Sequence, residues 1–343
     1  MGKSTLFNAL ARAQVMVSNY PFCTIDPNVG VVPVPDERLK KIQQIMGSPK
    51  ALPAVIEFFD IAGLVKGAHK GEGLGNQFLS HIREVDALAQ VVRCFKDEQI
   101  VHVMGEVDPR RDVETVNLEL ILADLIWADK KVQALRSSAK TGDPKILKEL
   151  KLIESLREHL DQGKPARTFP ELITDLPLLT LRPVLYVANV DESGNSEKVR
   201  AIEEIAKKEG SPVLIICSKL EADLSEMEPA EAQEYMRELG IKERGLDRLI
   251  KAGYELLQLI TFFTANEKEA RAWTIKTGTK APQAAGCVHS DMERGFIAAE
   301  VAHYRELLQA GSYLTAREQG RLHTEGREYK VQDGDLMLFR FNP

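Results

Sequence analysis

Long apolar runs are absent from the 343-residue sequence. No uninterrupted stretch approaches the roughly 18 residues that a membrane-spanning helix needs, and no charged start followed by an apolar segment indicates a secretory signal. We therefore expect a cytoplasmic protein without a membrane partner. Cysteines are few and none share C-x-x-C spacing, which favours a reducing compartment over a disulfide framework or zinc site. They are Cys23, Cys94, Cys217 and Cys287.

An excess of positive charge is absent too. The formal net charge is −6 at pH 7, which excludes a global attraction to nucleic acid, so any such binding needs a local basic patch. Charged residues at 28% and hydrophobic residues at 44% are typical of a globular protein. The length is enough for two or three domains with sizeable cores.

The sequence begins with half of a known motif. Gly2-Lys3-Ser4-Thr5 matches the end of the phosphate-binding loop G-x-x-x-x-G-K-[ST], whose backbone N–H groups, lysine and hydroxyl hold phosphates and Mg²⁺. The strand and the first glycine that precede this motif are not in the sequence. Alone, the tripeptide is also typical of an ordinary helix start, so its interpretation depends on the rest of the chain.

A second motif follows a predicted strand. Residues 54–59 form a β-rich run that ends directly in Asp60-Ile61-Ala62-Gly63. In a P-loop nucleotidase, the aspartate of D-x-x-G holds Mg²⁺ through water and the glycine places a backbone N–H on the γ-phosphate. The glycine-rich stretch 67–75 predicts a loop of the kind that orders on that phosphate.

Three more strands are predicted at residues 87–95, 184–188 and 213–216. The first is apolar throughout, which predicts burial on both faces. The other two end in Asn189-Val190-Asp191-Glu192 and in Cys217-Ser218-Lys219. Polar residues that follow successive strands point to one edge of a doubly wound sheet, where such sheets bind their ligands. Helices are expected at 76–85, 226–239 and 245–257.

Leucine and isoleucine recur at helical spacing on both sides of Thr141-Gly142-Asp143-Pro144, which predicts an antiparallel helical hairpin. Its outer part, residues 130–151, has seven basic residues against two acidic ones. A solvated helix face and a surface for a phosphate-rich partner are both compatible with this excess. The basic residues are Lys130, Lys131, Arg136, Lys140, Lys145, Lys148 and Lys151.

The tail differs in character, with strand patterns at 259–264 and 269–275, a helical stretch near 291–297, and a final alternating run. These predict a small mixed α/β domain. Asp333-Gly334-Asp335, between alternating segments, predicts a β-hairpin turn.

Taken together, the chain resembles the YchF (Obg-like ATPase) family. The resemblance is carried by GKSTLFNAL, NYPFCTIDPN, FFDIAGLVKGAHKGEGLGNQ, the NVDE segment, FFTANEKEARAWT, APQAAGCVHSDMERGFI and YKVQDGDLMLFRFN. It implies an α/β fold in which a P-loop nucleotidase with a doubly wound sheet, here without its first strand, carries a helical coiled-coil insertion and a C-terminal TGS domain of β-grasp type. The implied domains are residues 1–111 with 181–257, 112–180 and 258–343. It also implies that the protein associates with ribosomal subunit proteins and rRNA through the hairpin tip and the TGS domain. The implied reaction is Mg²⁺-dependent hydrolysis of ATP in preference to GTP.

The resemblance also implies roles for individual residues. Nucleotide contacts fall on Gly2, Lys3, Ser4, Thr5, Asn189, Val190 and Ser218, and metal contacts on Ser4, Thr24 and Asp60. Lys3 and Gly63 would act on the γ-phosphate. His102 matches a candidate catalytic histidine of the family, although a histidine that alternates with valine is also typical of an ordinary strand residue. Leu64 holds the position where many GTPases carry glutamine, and leucine cannot orient water.

The base preference also follows from chemistry. Guanine-specific relatives use N-K-x-D, whose aspartate accepts hydrogen bonds from guanine, whereas here Val190 replaces the lysine and Glu192 the aspartate. Adenine has an acceptor at the corresponding ring nitrogen, which a carboxylate would repel. An amide or backbone group of Asn189 and Val190 suits adenine better, so ATP is the expected nucleotide.

Two alternatives stay open on the sequence alone. Because the motif at Gly2 lacks its first half, the chain could be a ribosome- or RNA-binding module without hydrolysis, with two strand edges left unpaired inside its sheet. A translational GTPase is the other alternative, which the NVDE segment disfavours.

Overall fold

The computed structural model describes residues 1–14, 28–61, 63, 74–97, 105–171, 173, 176–192 and 196–342. Its contacts divide the chain into two compact units. The first comprises Met1–Leu10, Asp26–Gly30 and Phe59–Leu246, and the second comprises Ala11–Ile25, Val31–Phe58 and Asp247–Pro343. No helix of the described residues is long and apolar enough to cross a membrane.

Helices and strands are interspersed along the described part of the chain. The helices are α1 Lys3–Gln14, α2 Glu37–Met46, α3 Leu74–Glu84, α4 Pro109–Ser138, α5 Pro144–Asp161, α6 Ser196–Glu209, α7 Ser218–Glu226, α8 Pro229–Glu238, α9 Gly245–Leu256, α10 Ala281–Val288, α11 Ser290–Arg294, α12 Tyr304–Ala310 and α13 Tyr313–Glu318. The strands are β1 Val29–Pro33, β2 Ala51–Leu52, β3 Val55–Phe59, β4 Leu88–Arg93, β5 Val184–Asn189, β6 Val213–Ile216, β7 Leu259–Ala265, β8 Ala270–Lys276, β9 Phe296–His303, β10 His323–Glu325 and β11 Asp335–Phe341.

The first unit contains a parallel sheet in the order β4-β5-β6. All six residues of β5 are buried, because it is the central strand. The sequence predicts that β4 is buried on both faces, and this prediction is wrong for the first half of the strand. Val92, Arg93 and Cys94 are buried, whereas Leu88 to Val91 are partly or fully exposed. β4 is an outer strand of this sheet, so it is less buried than the central strand β5. β1 and β3 pair with each other in a separate two-stranded sheet.

The predicted helical hairpin is confirmed as α4 and α5. Each helix has an aspartate N-cap followed by proline: Asp108 accepts from the Arg111 N–H, and Asp143 accepts from the Lys145 N–H at 2.8 Å. Apolar residues at helical spacing then bury one stripe of each helix against the other. The buried residues shared between them include Val132, Leu135, Ile153, Leu156 and Leu160.

The second unit contains a six-stranded sheet in the order β10-β9-β11-β7-β8-β2. β11 lies between β9, which is antiparallel to it, and β7, which is parallel to it. Helix α10 packs on this sheet, and its alanines fill a core with Phe262, Phe296 and Met337. The mixed α/β domain expected at the C-terminus is therefore present.

The Asp333-Gly334-Asp335 turn does not make the predicted hairpin. The segment before it forms a bridge between Lys330 and Lys280 instead of pairing with β11. The turn is held from β7, because Gly334 donates its N–H to the Thr261 carbonyl at 2.8 Å and Asp333 accepts the Thr261 N–H at 3.0 Å. The local pattern indicates a turn, whereas contacts with the distant strand β7 determine which segments the turn joins.

Two helix predictions also need correction. The stretch near 291–297 contains the short helix α11, but Phe296 and Ile297 begin strand β9. The helix expected at 226–239 begins at Pro229, and the preceding helix α7 was not predicted. Proline at a first helical position marks a new start because its missing N–H costs nothing there.

Candidate functional site

The start of α1 lies against the carboxyl end of β5. Asn189, which is 2% exposed, donates from Nδ2 to the Met1 carbonyl and accepts the Ser218 N–H on Oδ1, each at 2.9 Å. One amide side chain therefore joins the residue before Gly2 to the first residue of α7, which follows β6. The sequence did not predict this bond to Met1, and it named Lys219 only as part of a strand end, without a role.

Gly2 is required by this close approach. Its φ is +87°, and a Cβ at this position would lie 2.1 Å from Asn189 Nδ2 and 3.3 Å from Ser218 Oγ. Both the backbone conformation and the space therefore exclude a side chain. The glycine that ends a phosphate-binding loop is required for the same reason, because another group lies too close to the backbone to leave room for a Cβ.

Lys3 forms an ion pair with Asp60, whose carboxylate follows β3. Their side chains are 30% and 21% exposed, so the pair is accessible from solvent. The Asp60 N–H donates to the Asn28 carbonyl at 2.8 Å, which holds the aspartate at the end of its strand. The two motif residues that the sequence placed far apart are thus in direct contact. Ser4 and Thr5, in the first turn of α1, are exposed.

Ser218 begins α7 and is 2% exposed. Its hydroxyl oxygen is buried and has no hydrogen-bond partner within the described part of the chain. An unpaired buried hydroxyl is unfavourable, so this oxygen is a free polar group beside Gly2 and Asn189. It fits the sequence prediction of a nucleotide contact, which stays a prediction.

Val190 and Glu192 differ sharply in accessibility. Val190 is 7% exposed and donates its N–H to the Ile216 carbonyl at 2.9 Å. Glu192 is exposed and pairs with Lys219 Nζ at 3.1 Å. Since the Asn189 amide and the Val190 N–H already have protein partners, the exposed polar groups here are Glu192 and Lys219. Lys219 could have been found from its position directly after Ser218 at a strand end.

Other predicted residues give less information. Thr24, His102 and most of the glycine-rich stretch lie outside the described residues. Gly63 is exposed, and no atom of the described residues lies within 4 Å of the position a Cβ would take. Among the residues that the structure describes, no group of three or more histidines, cysteines and carboxylates could hold a metal ion. Mg²⁺ needs no such cage, because it is usually held by one or two carboxylates with water and substrate phosphates.

The oxygen ligands offered by Ser4 and Asp60 suit this kind of Mg²⁺ site. Both lie on the first unit, at the start of α1 and at the end of β3, and both are hard donors. The residues present therefore fit the metal that the sequence resemblance implies.

Family models match both ends of the chain. Residues 1–123 match the family MMR_HSR1, described as 50S ribosome-binding GTPase. Residues 259–342 match YchF-GTPase_C, described as a protein of unknown function (DUF933).

Curated relatives match the full length. The Ribosome-binding ATPase YchF of Bacillus subtilis is 52% identical, covering 100% of this chain and 96% of the relative. The protein of the same name from Escherichia coli O157:H7 is 47% identical with the same coverage.

Solved structures agree with these sequence matches. The YchF GTPase of Schizosaccharomyces pombe superposes with a TM-score of 0.88 at 35% identity, covering 99% of this chain and 95% of that one. A GTP binding protein from Pyrococcus horikoshii OT3 shares the fold, with a TM-score of 0.62 at 16% identity. With its P-loop half-motif, its Asp60 and Asn189 strand ends and full-length relatives at about half identity, the chain belongs to the YchF family of P-loop nucleotidases.

Proposed function

We propose that this protein is a Mg²⁺-dependent ATPase that binds the ribosome and hydrolyses ATP in preference to GTP. The proposal depends on two contacts at the start of α1. Lys3 forms an ion pair with Asp60, and the Asn189 side chain lies against Gly2. The names of the full-length relatives, Ribosome-binding ATPase YchF, support the same activity and partner.

The phosphate end of the proposed site uses α1. Its first backbone N–H groups and helix dipole favour an anion, and Lys3 supplies a positive charge for the β- and γ-phosphates. Asp60 currently holds that charge, so a phosphate would exchange one anionic partner of Lys3 for another. Ser4 and Asp60 would hold Mg²⁺, which neutralises phosphate charge during transfer. Gly63 would donate its N–H to the γ-phosphate, and Thr24 and His102 keep their predicted roles.

The preference for adenine rests on the carboxylate of Glu192. Guanine is recognised when a carboxylate accepts from both its ring N–H and its amine. Here that carboxylate pairs with Lys219, and Val190 replaces the lysine of the guanine-specific motif. Without the guanine-specific N-K-x-D motif the site loses selectivity for guanine, because polar groups of that base would stay unpaired.

The ribosome contact is proposed at the hairpin tip and the C-terminal domain, within the three-domain division given by the sequence. Two tip cations are already paired, Lys131 with Glu149 at 2.8 Å and Arg136 with Glu154 at 2.7 Å. The other five basic residues of the tip are exposed lysines, and they are Lys130, Lys140, Lys145, Lys148 and Lys151. An exposed cationic tip on a long helical hairpin suits a phosphate-rich surface such as rRNA.

The nucleotide site is tested by substituting Lys3→Ala and titrating with ATP·Mg²⁺ and GTP·Mg²⁺ by calorimetry. We expect the parent to bind ATP more tightly than GTP, and the variant to lose ATP binding and turnover. Lys40→Ala, an exposed lysine on α2, is the control and should match the parent. Turnover by Lys3→Ala at the parental rate would refute the site, and tighter binding of GTP by the parent would favour the GTPase alternative.

The partner is tested by cosedimentation with purified bacterial ribosomes over a range of salt. We expect replacement of the five exposed tip lysines by alanine to weaken binding and to lower its salt dependence, because each lost phosphate contact reduces the slope by about one. The control replaces Lys207 and Lys208, which are exposed on α6. Equal loss in both variants would refute a specific contact at the tip.

A further inference from the structure

A chain of buried polar contacts begins on α4. Asp124, which is 2% exposed, accepts the N–H groups of Leu179 and Thr180 at 2.8 Å each and the Thr180 hydroxyl at 2.6 Å. The same hydroxyl accepts the Ala166 N–H at 2.8 Å. The carboxylate therefore binds α4 to two short segments that follow the hairpin and lead the chain back to β5.

Arg167 extends this network of buried polar contacts toward α6. Its guanidinium donates to the Thr180 carbonyl at 3.3 Å, to Asn117 Oδ1 on α4 at 3.1 Å, and to Glu209 at the end of α6 at 2.7 Å. The side chains of Arg167 and Glu209 are 7% and 8% exposed. This ion pair is thus largely removed from water, and Thr180 is common to both parts of the chain of contacts.

Tyr186 connects this pair to the sheet. It lies on β5, is 0% exposed, and donates its hydroxyl to Glu209 at 2.7 Å. Asn117 donates to Glu209 at 3.1 Å and to the Tyr186 oxygen at 3.3 Å. Burial raises the pKa of Tyr186 to about 12, so the hydroxyl keeps its proton and acts as a donor at neutral pH.

These contacts lie between the proposed partner surface and the proposed nucleotide site. Asn189 is three residues after Tyr186 on the same strand, and it holds Met1 and Ser218. The hairpin tip is about 30 Å from Asn117, at 1.5 Å for each residue of α4. Apolar contacts alone tolerate sliding between helix and strand, whereas directional bonds to buried charges do not.

We propose that Tyr186 and Glu209 are positioning residues that couple the helical hairpin to the nucleotide site through β5. A partner on the hairpin tip would then change nucleotide affinity, and nucleotide would change partner affinity by the same factor. The proposal rests on the proposed function, since it needs both the nucleotide at Asn189 and the partner at the tip.

The test measures the affinity for a fluorescent ATP analogue with and without saturating purified ribosomes, on the full chain. For the parent we expect the two affinities to differ about fivefold or more, as is typical of coupled sites. Tyr186→Phe and Glu209→Gln should bring this ratio to within about twofold of one, while the affinity without ribosomes changes less than the ratio. Tyr254→Phe is the matched control, because it removes a buried tyrosine hydroxyl that bonds Thr261 and Thr274 in the second unit.

The outcomes separate the two proposals. A parent that binds neither ATP nor ribosomes refutes the proposed function. A parent that binds both with a ratio of one, or variants that keep the parental ratio, overturns the coupling and leaves the proposed function intact. The coupling is also overturned if Tyr254→Phe brings the ratio of the two affinities as close to one as Tyr186→Phe does, since the effect would then not be specific to this network. Tyr186→Phe removes only a neutral donor, so it keeps the test decisive if Glu209→Gln, which breaks a buried ion pair, does not fold.

Discussion

The ion pair between Arg167 and Glu209 allows a quantitative prediction about stability. Its atoms are 2.7 Å apart and both side chains are more than nine-tenths buried. Replacing Arg167 by methionine leaves the Glu209 charge buried with only the neutral donors Tyr186 and Asn117. Removal of one partner from such a pair costs about 3–5 kcal/mol. We expect this loss for Arg167→Met, and a similar loss for Glu209→Gln, which leaves the guanidinium without its counterion.

The double variant distinguishes this reasoning from simple loss of contacts. In Arg167→Met with Glu209→Gln neither side chain of the pair carries a charge, and the glutamine carbonyl oxygen can still accept from the Tyr186 hydroxyl. Independent effects would sum to about 6–10 kcal/mol. We expect the double variant to lose no more than either single variant, because replacing a whole buried pair by neutral groups is often nearly neutral.

Amide hydrogen exchange followed by mass spectrometry is the appropriate assay, because it reports the opening free energy of β5 and α6 locally and does not need the whole chain to unfold in one step. Arg136→Met is the matched control. It breaks a pair with Glu154 at 2.7 Å on the same hairpin, but Arg136 is 65% exposed, so the loss should stay below about 1 kcal/mol. If the two buried substitutions add within about 0.5 kcal/mol, the reasoning is refuted.

Three other predictions follow from single contacts. Asn189→Asp keeps an acceptor for the Ser218 N–H but sets a carboxylate against the Met1 carbonyl, so ATP affinity measured by calorimetry should fall about tenfold or more. Although burial opposes it, hydrogen bonds from Arg38 and the Thr261 backbone hold the pKa of Asp333 below its ordinary value. The resulting stability is present above about pH 4 and is lost as the pH falls through the folded-state pKa, so the difference in melting temperature between the parent and Asp333→Asn should shrink in acid. Glu221, 4% exposed on α7, accepts the Gly245 N–H at 2.7 Å, and Glu221→Ala should cost about 1–3 kcal/mol of local stability at α9 by hydrogen exchange.

Local patterns in the sequence were sufficient for some of this architecture. The hairpin helices, their turn and strands β5 and β6 were predicted within a few residues, because periodicity and caps act over a few neighbouring positions. The β11 pairing was missed because Asp333 and Gly334 bond to Thr261, and no local pattern shows which distant strand will be the partner.

By itself, the sequence determined which chemical groups are available at the candidate site. They are the lysine and hydroxyl that follow Gly2, the carboxylate of Asp60 after β3 and the amide of Asn189 at the end of β5. Only the tertiary structure decided how these groups are used. Lys3 is held by Asp60, 57 positions away, and the Asn189 amide bonds both Met1 and Ser218. Motifs depend on residue identity and spacing along the chain, whereas hydrogen-bond partners depend on which segments the folded core brings together.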